Sequence, residues 1–453
     1  MISTQTVQRH IQERDLHAVR DLLVDVAPVE IAELFAGLSD EERVLIFRIL
    51  PRKKAAEIFA ELDVDVQKTL LSSLGDRHTA RLLDEMAADD RTALLEEIPA
   101  EAARQLLTLL SKDERDVALT LLGYPEGSVG RLMSPDYLTV HADWKVREAL
   151  DHIRANGQES ASLDTLYVVD AKGKLVDEIS TRQLLLASLD EEVASLMNFK
   201  FDSLDAHSDQ ELAVELFRKY DRPTLPVVDS EGVLLGIVTV DDILDVQEEE
   251  ITEDIQKLGG SEALEDPYVK TPVLTLIRKR AHWLVLLFLG EMLTASAMAS
   301  FEDEIQRAVV LALFVPLIIS SGGNSGSQAS TIIIRALAVG EIGIKDWVNV
   351  FRRELITGGV LGLLLGMIGF LRVVIWSQFS DIYGDHWMAL AFTVLFSLTG
   401  VVALGSLAGA MLPFVLKSFK LDPATSSAPF VATIVDVAGL ILYFSIAVLI
   451  MAI

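Results

Sequence analysis

The chain has 453 residues, of which 51% are hydrophobic and 23% are charged, and its net charge at neutral pH is −28. Residues 271–453 carry equal numbers of acidic and basic side chains, so the negative excess lies within residues 1–270. This excess argues against nucleic acid as a partner, because phosphates would be repelled. It suits a surface that binds cations or an ordinary acidic, soluble surface. The lack of cysteine excludes disulfides and thiolate metal sites.

Residues 1–130 are predicted to form a helical N-domain. Apolar residues recur at helical spacing in segments such as IAELFAGL, RVLIFRIL and AAEIFAEL. The segments repeat roughly every 12 to 14 residues, with Asp, Gly or Pro between them. Short helices that cannot bury a face alone are typical of a stacked α-solenoid.

Residues 134–250 contain two copies of one α/β unit. TLYVVDAKGKLVDEISTRQLL begins at Thr165 and TLPVVDSEGVLLGIVTVDDIL begins at Thr224, an offset of 59 residues without gaps. Each copy has an apolar strand, a turn, a second strand and a helix start, and each follows an amphipathic helix. The two β-α-β-β-α copies are expected to pack as one pseudo-symmetric domain.

Residues 241–270 are predicted to be a connecting segment, an acidic helix that ends at a Gly-Gly break.

Residues 271–453 contain five apolar stretches, each near the length that crosses about 30 Å of hydrocarbon. They lie at 281–300, 308–334, 355–376, 387–416 and 427–452. The chain is therefore predicted to be a multi-domain membrane protein that ends in a five-helix, all-α transmembrane domain in the lipid bilayer.

Basic residues predict the orientation of the spans. Arg278, Lys279 and Arg280 precede the first span, and more basic residues separate spans two and three and spans four and five. The other two loops are mainly acidic. By the positive-inside rule, residues 1–270 are cytoplasmic and the C-terminus lies outside the plasma (inner) membrane.

Two features of the spans indicate where an ion could pass. Asp436 is the single charge in the fifth span, and a carboxylate at membrane depth is costly unless it faces water or a partner. The polar run SSGGNSGSQAST, residues 320–331, is interpreted as a break in the second span that exposes backbone oxygens. The alternatives are a protonated or paired carboxyl and close helix packing. Such oxygen groups suit a hard cation like magnesium.

Glu291 in the first span is a further acid near mid-membrane. It either pairs with Arg372 of the third span or faces the vestibule of a pore. Pairing is the favoured interpretation. Pro429, at the start of the fifth span, is expected to loosen that helix and free carbonyl groups nearby.

These residues resemble a known family, the MgtE magnesium channels. Gly322-Gly323-Asn324-Ser325-Gly326 in the second span looks like the signature of that family. So do the stretch from Asp422 to Asp436 and the junction Gly130-x-x-Met133-x-Pro135. The repeat resembles a CBS-domain pair, and residues 1–130 resemble the N-domain of the family. The resemblance covers essentially the whole chain in one order.

The resemblance implies a homodimer whose pore follows the two-fold axis between the membrane domains. Asp436 of each chain would face its counterpart and hold a hydrated Mg²⁺ ion. Ser327 and Ala428 stand where some relatives carry Asn, so other divalent cations are also candidate ions. The implied pore residues are Asp436, Gly323, Asn324, Thr331 and Ala432.

The resemblance also implies that the cytoplasmic part binds magnesium and closes the pore. Divalent ions would bridge carboxylates on facing surfaces of self-repelling domains and favour a compact state. Asp89 would face Asp242 or Asp245. The further carboxylates are Asp209, Glu211 and Asp221 on the second repeat, and Glu250, Glu253 and Asp254 on one face of the connecting helix.

A CBS pair can bind a nucleotide, so ATP is a candidate ligand. The second copy carries Gly236-x-x-Thr239-x-x-Asp242, whose hydroxyl and carboxylate could hold a ribose. The first copy carries Ser180 and Gln183 at the matching positions, with Arg182 available for phosphate.

Two other functions stay open on sequence grounds. A carrier that works by alternating access would be expected to have two broken helices at matching places, whereas one break is predicted here. A membrane-bound CBS sensor that conducts nothing would have no need of Asp436. An enzyme is not expected, because the chain has no P-loop, HExxH motif or nucleophile elbow.

Overall fold

The computed structural model describes residues 3–158, 160–264 and 268–451. It divides into two compact units, Met1–Glu248 and Glu249–Ile453.

The first half of unit one is a solenoid of short helices. Alternate helices pack on one another, α2 on α4 on α6 and α3 on α5 on α7 on α9. Their apolar faces meet in one core, where Phe47 makes edge-on ring contacts with Phe35 and Phe59. The prediction of a stacked α-solenoid is confirmed. The helices are α1 Thr4–Gln12, α2 Leu16–Leu23, α3 Pro28–Phe35, α4 Asp40–Ile49, α5 Arg52–Ala60, α6 Val64–Leu74, α7 Asp76–Glu85, α8 Ala88–Glu97, α9 Ala100–Leu109 and α10 Lys112–Leu121.

The second half of unit one contains the two α/β copies. Their three-stranded sheets have the orders β1-β2-β3 and β4-β5-β6, each with one parallel and one antiparallel pair. Thr165 pairs with Ser180 and Thr224 pairs with Thr239, which preserves the offset of 59 residues and confirms the repeat. The elements are α11 Val129–Leu132, β1 Thr139–Val140, α12 Val146–Asn156, β2 Thr165–Val169, β3 Leu175–Ser180, α13 Thr181–Leu186, β4 Leu204–Asp205, α14 Gln210–Tyr220, β5 Thr224–Val228 and β6 Leu234–Thr239.

The connecting helix, α15 (Val240–Leu258), follows β6 without a loop. It ends at the Gly-Gly pair, where Gly260 has a φ of +73°, a value that favours glycine. The predicted acidic helix with its glycine stop is present.

Unit two is built from long helices. Helices α16, α20, α21 and the segment Ile344–Trp376 that contains α19 are long and apolar enough to cross a membrane. Helix α18 has 24 residues but carries the polar run, which lowers its hydropathy. Among the described residues, a helix is therefore present in each of the five predicted spans, and four of these helices have the length and hydropathy of a membrane span. The helices are α16 Val273–Ser300, α17 Glu302–Arg307, α18 Val315–Ala338, α19 Trp347–Trp376, α20 Trp387–Ser418 and α21 Ala428–Met451.

The predicted break in the second span is wrong, because residues 320–331 lie inside the continuous helix α18. The small residues serve close packing instead. A Cβ on Gly405 would overlap the carbonyl oxygen of Gly322, and one on Gly409 would overlap that of Gly326. The neighbouring Ser325 and Ser406 hydroxyls hydrogen bond at 2.8 Å. Backbones without Cβ atoms can approach this closely while each helix stays intact.

Two further expectations about these helices are corrected. The second span begins later than residue 308, because Val309–Leu313 forms a 3₁₀ turn before α18. Pro429 is the second residue of α21, where the backbone N–H has no partner within the helix. It therefore starts the helix and does not loosen it.

The packing predicts that Gly409→Ala destabilises the protein, although alanine normally favours a helix. The new methyl group would meet the Gly326 carbonyl, and such overpacking costs about 1–3 kcal/mol. The unfolding temperature of the purified chain in detergent should fall. Gly359→Ala in α19 is the matched control, because its methyl group would enter open space. Equal unfolding temperatures for the two variants would contradict the packing argument.

Candidate ion sites

Three of the predicted pore residues meet where α18 crosses α21. A Cβ placed on Gly323 would lie 3.4 Å from the Ala432 Cβ and 3.8 Å from the Asp436 Oδ1. The carboxyl of Asp436 therefore lies directly over a position with no side chain. Any larger residue at 323 would occupy the space beside that carboxyl.

Asn324 and Thr331 lie on the exposed side of α18. The Asn324 amide is 3.5 Å from the Ser320 hydroxyl, and the Thr331 hydroxyl donates to the Ser327 carbonyl at 2.9 Å. With Gln328 they form a polar stripe along the exposed side of the helix, at spacings of three and four residues. Polar groups in a hydrocarbon layer must face water or another protein surface. The stripe is therefore the side of the helix that we expect to face water or another protein surface.

Glu291 lies beside Asp436, a neighbour that the sequence argument did not favour. Its carboxyl on α16 lies close enough to the Asp436 carboxyl for the two groups to interact electrostatically. The expected partner, Arg372, instead places its guanidinium over the Trp376 ring, 5.7 Å from the ring centre. The prediction that Glu291 pairs with Arg372 is wrong, because α16 packs on α21.

In unit one, Asp89 and Asp242 come together as predicted. Asp89 is in the first turn of α8 and Asp242 is in the first turn of α15, and both contribute to the same electrostatic cluster. Burial raises the pKa of the Asp89 carboxyl, and the adjacent Asp90 raises it further. Burial, followed by the charge of Asp89, raises the pKa of the Asp242 carboxyl. Bringing these acids together is unfavourable without protons or cations.

Asp90 belongs to the same cluster and was missed by the sequence argument. Burial and the charges of Asp242 and Glu61 raise the pKa of its carboxyl to about 6. Asp245, one turn after Asp242, contributes to the same field and is itself exposed. The position of Asp90 next to Asp89 in a helical first turn was the available signal.

The structure does not gather the predicted acids of the second repeat into one site. Asp209 caps the start of α14, where its Oδ1 accepts from the Glu211 N–H at 2.9 Å. Asp221 follows the last residue of the same helix, in the left-handed region at φ 49°. The two positions are twelve residues apart along a helix and are therefore separated by roughly 18 Å. All three side chains are exposed.

The connecting helix carries its own acidic face, and a lysine is paired with it. Lys257 Nζ lies 2.5 Å from Glu253 Oε1 and 2.8 Å from Oδ2 of Asp422, which precedes α21. Burial and the charge of Asp422 raise the pKa of the Asp254 carboxyl to about 6. Glu250 contributes to the same field. Asp422 is thus a second residue that sequence reasoning did not place in this cluster.

The predicted nucleotide residues are engaged in helix capping. The Ser180 hydroxyl donates to Gln183 Oε1 at 2.8 Å, and the Thr239 hydroxyl donates to the carboxylate of Asp242. The matching positions of the two copies therefore have the same helix-capping arrangement. Arg182 is exposed next to the first cap. Asp242 takes part in both the cap and the acidic cluster.

The described residues contain acidic clusters but no preformed metal centre. Across residues 3–158, 160–264 and 268–451, no three Asp, Glu or His side chains are close enough together to hold a metal ion in this geometry. Ion binding at these clusters would require the carboxylates to move toward one another or to bind through water.

Comparison with known families accounts for all three regions. The family model described as divalent cation transporter matches residues 315–446, and the MgtE intracellular N domain matches residues 26–127. CBS domains match residues 129–190 and 193–249. A magnesium transporter MgtE from Thermus thermophilus is 38% identical over 98% of this chain and 97% of its own length. This chain belongs to the MgtE family of magnesium transporters.

Other MgtE proteins agree with this assignment. The magnesium transporter MgtE of Bacillus subtilis is 33% identical over 72% of this chain and 70% of its own. The cytosolic domain of the Mg²⁺ channel MgtE, solved in complex with ATP, covers 54% of this chain and 99% of its own, with 34% identity and a TM-score of 0.51. The soluble part of a magnesium transporter covers 55% and 97%, with 28% identity and a TM-score of 0.53.

The Asp89–Asp242 cluster predicts that stability depends on pH. Folding raises the pKa values of these carboxyls, so the folded chain holds protons that the unfolded chain releases near pH 4. Stability should therefore be lost as the pH rises from about 4 to about 7. Asp242→Asn removes one charge, and its amide oxygen can still accept from the Thr239 N–H.

We expect Asp242→Asn to raise the unfolding temperature of the full chain by a few degrees at pH 8, and by less at pH 5. Differential scanning calorimetry in magnesium-free buffer would measure both values. Asp25→Asn, at an exposed position of the solenoid, is the control and should show no such dependence. An equal increase in unfolding temperature at both pH values would contradict the view that repulsion between ionised carboxylates is the cause.

Proposed function

We propose that this MgtE protein is a homodimeric magnesium channel that passes the ion beside Asp436 and closes when cytoplasmic magnesium binds its acidic clusters. The observation that carries the conducting part is the Asp436 carboxyl over Gly323, next to a polar stripe on α18. A single chain offers few ligands there, and the stripe faces away from its own bundle. A second copy placed against this face would enclose a polar path with one Asp436 on each side.

The chemistry of that path suits a hydrated divalent ion. Carboxylate, amide and hydroxyl oxygens are hard ligands, and Mg²⁺ gives up its waters reluctantly. Two carboxylates across a two-fold axis could hold the ion through those waters. Other divalent cations would compete for the same oxygens, with selectivity set by the spacing of the two chains.

A channel is favoured over an alternating-access carrier. Carriers commonly place discontinuous helices at the binding site, whereas α18 and α21 are both continuous there. A sensor that conducts nothing would not need a carboxyl at membrane depth. In the proposed orientation, the basic residues before α16 lie on the cytoplasmic side, with residues 1–270, and the C-terminus lies outside.

Closure is proposed to follow from ion binding to unit one and to the connecting helix. A divalent ion between Asp89 and Asp242 would relieve their repulsion and favour the compact arrangement. In unit two, the Lys257–Asp422 pair ties α15 to the segment that leads into α21, the helix of Asp436. A shift of α15 therefore has a direct mechanical route to the ion path. The free energy that can drive closure is the difference between the ion-binding free energies of the closed and open forms.

ATP binding at the CBS pair is proposed as a modulating interaction. Its support is the ATP complex of the related cytosolic domain, together with Asp242 at the position expected to bind ribose. Because Asp242 also belongs to the acidic cluster, nucleotide and divalent ion would act on the same side chain. Arg182 is the residue proposed to contact phosphate.

The conducting role of Asp436 predicts that Asp436→Asn reduces magnesium flux by at least about tenfold, the effect of losing roughly 1.4 kcal/mol of ion stabilisation. Flux into proteoliposomes would be followed with a magnesium-sensitive dye, and unit currents in planar bilayers would separate a channel from a carrier. Asp385→Asn, in the exposed loop before α20, is the control for loss of one carboxylate. Undiminished flux in Asp436→Asn would rule out the proposed path.

The feedback role of unit one predicts that Asp89→Asn combined with Asp242→Asn weakens inhibition. The cytoplasmic magnesium concentration that halves the current should rise by about tenfold. This rise corresponds to a loss of about 1.4 kcal/mol in the coupling free energy between ion binding and closure. Patch recordings with magnesium varied on the cytoplasmic face would measure it. Asp21→Asn combined with Asp25→Asn, both exposed in the solenoid, removes the same charge elsewhere. An unchanged half-inhibiting concentration would contradict the closure account.

A further inference from the structure

Glu291 is the one acid of the first membrane helix that neither the family signature nor the structural pairing with Arg372 explains. Helix α16 is apolar along most of its length, and none of its residues is buried within the single chain. A charged residue near the centre of a membrane helix makes insertion of that helix unfavourable. A residue that carries such a cost is expected to have a function or a partner.

The local packing brings this acid to Asp436. Gly290 lies against Thr433 of α21, and a Cβ on Gly290 would come within 2.6 Å of the Thr433 Cγ2. The glycine therefore allows α16 to approach α21 closely at this turn. Glu291 follows it directly and lies beside Asp436, one turn beyond Thr433. The close approach and the acid occupy the same turn of α16.

Two adjacent carboxyls have no structural advantage in a membrane. Like charges at this separation repel one another unless a proton or a cation lies with them. If the pair served helix packing alone, an apolar residue at 291 would pack as well at lower cost. The arrangement is favourable when a cation occupies the site, because the ion interacts with both carboxyls at once.

We propose that Glu291 determines ion specificity in the conduction path by adding a second carboxyl beside Asp436. This inference rests on the proposed passage of magnesium past Asp436. In a dimer, the site would have four carboxyls, two from each chain. A divalent ion gains twice the electrostatic energy of a monovalent ion from each of these charges, so the added pair favours Mg²⁺ over K⁺.

The test compares Glu291→Gln with wild type in planar bilayers that hold magnesium on one side and potassium on the other. Reversal potentials give the permeability ratio of Mg²⁺ to K⁺, which should fall by about tenfold, corresponding to 1.4 kcal/mol. Magnesium current itself should persist, because Asp436 remains. Glu302→Gln, at the exposed first residue of α17, is the matched control and should leave the ratio unchanged.

A second variant separates charge from folding. Glu291→Asp keeps the carboxylate and should retain most of the permeability ratio, whereas Glu291→Gln should not. Equal permeability ratios for wild type and Glu291→Gln would overturn the inference. An equal fall of the permeability ratio in Glu291→Gln and Glu291→Asp would also overturn it. Either result leaves the proposed function intact if Asp436→Asn still reduces the magnesium current by at least about tenfold. Absence of magnesium current in wild type would overturn the proposed function itself.

Discussion

The close backbone contact between α18 and α20 is the constraint on which the proposed ion path depends. Gly322 and Gly326 of α18 meet Gly405 and Gly409 of α20 without intervening side chains. This contact holds α18 against the bundle at the level where Asp436 projects from α21. The polar residues of the same helix are then left on its outer side. One stripe of small residues thus fixes the position of α18 beside the Asp436 carboxyl and the surface that, in our proposal, meets a second chain.

The same contact explains why a polar sequence can lie inside a membrane protein without breaking its helix. Backbone hydrogen bonds stay within α18, and the serines bond to neighbours such as Ser406 or to nearby carbonyls. Hydrocarbon therefore meets few unpaired polar groups on the packed side. The outer stripe has no such cover within one chain, and in our proposal the dimer supplies it.

Carboxylates in unit one repel one another, and bound cations would reduce this repulsion. Asp89, Asp90 and Asp242 converge from the solenoid and the CBS pair, and burial makes their charged forms unfavourable. In the connecting helix, Lys257 lies between two carboxylates and already supplies a positive charge. The two clusters therefore differ in character. In our proposal, the first cluster responds to ions, and the second, which already contains a lysine, transmits a shift of α15 toward α21.

The sequence by itself determined the order of domains, the solenoid, the repeat and the five long helices, because each depends on local periodicity or hydropathy. It also indicated Asp436 as a candidate ion ligand, since one charge in an apolar span is visible without a structure. Its error at residues 320–331 has a physical cause, because small polar residues are equally compatible with a broken helix and with close packing. Only the Gly405 and Gly409 backbones opposite decide between the two.

Side-chain partners across helices were settled only by tertiary structure. Glu291 could reach Arg372 or the pore according to which helix packs on α16, and that helix is α21. Asp90 and Asp422 joined their clusters for the same reason, because long-range packing brings together residues that are distant in sequence. Periodicity tells which side of a helix is apolar. It does not tell which helix packs against that side. The packing helix determines which charged side chains come close together.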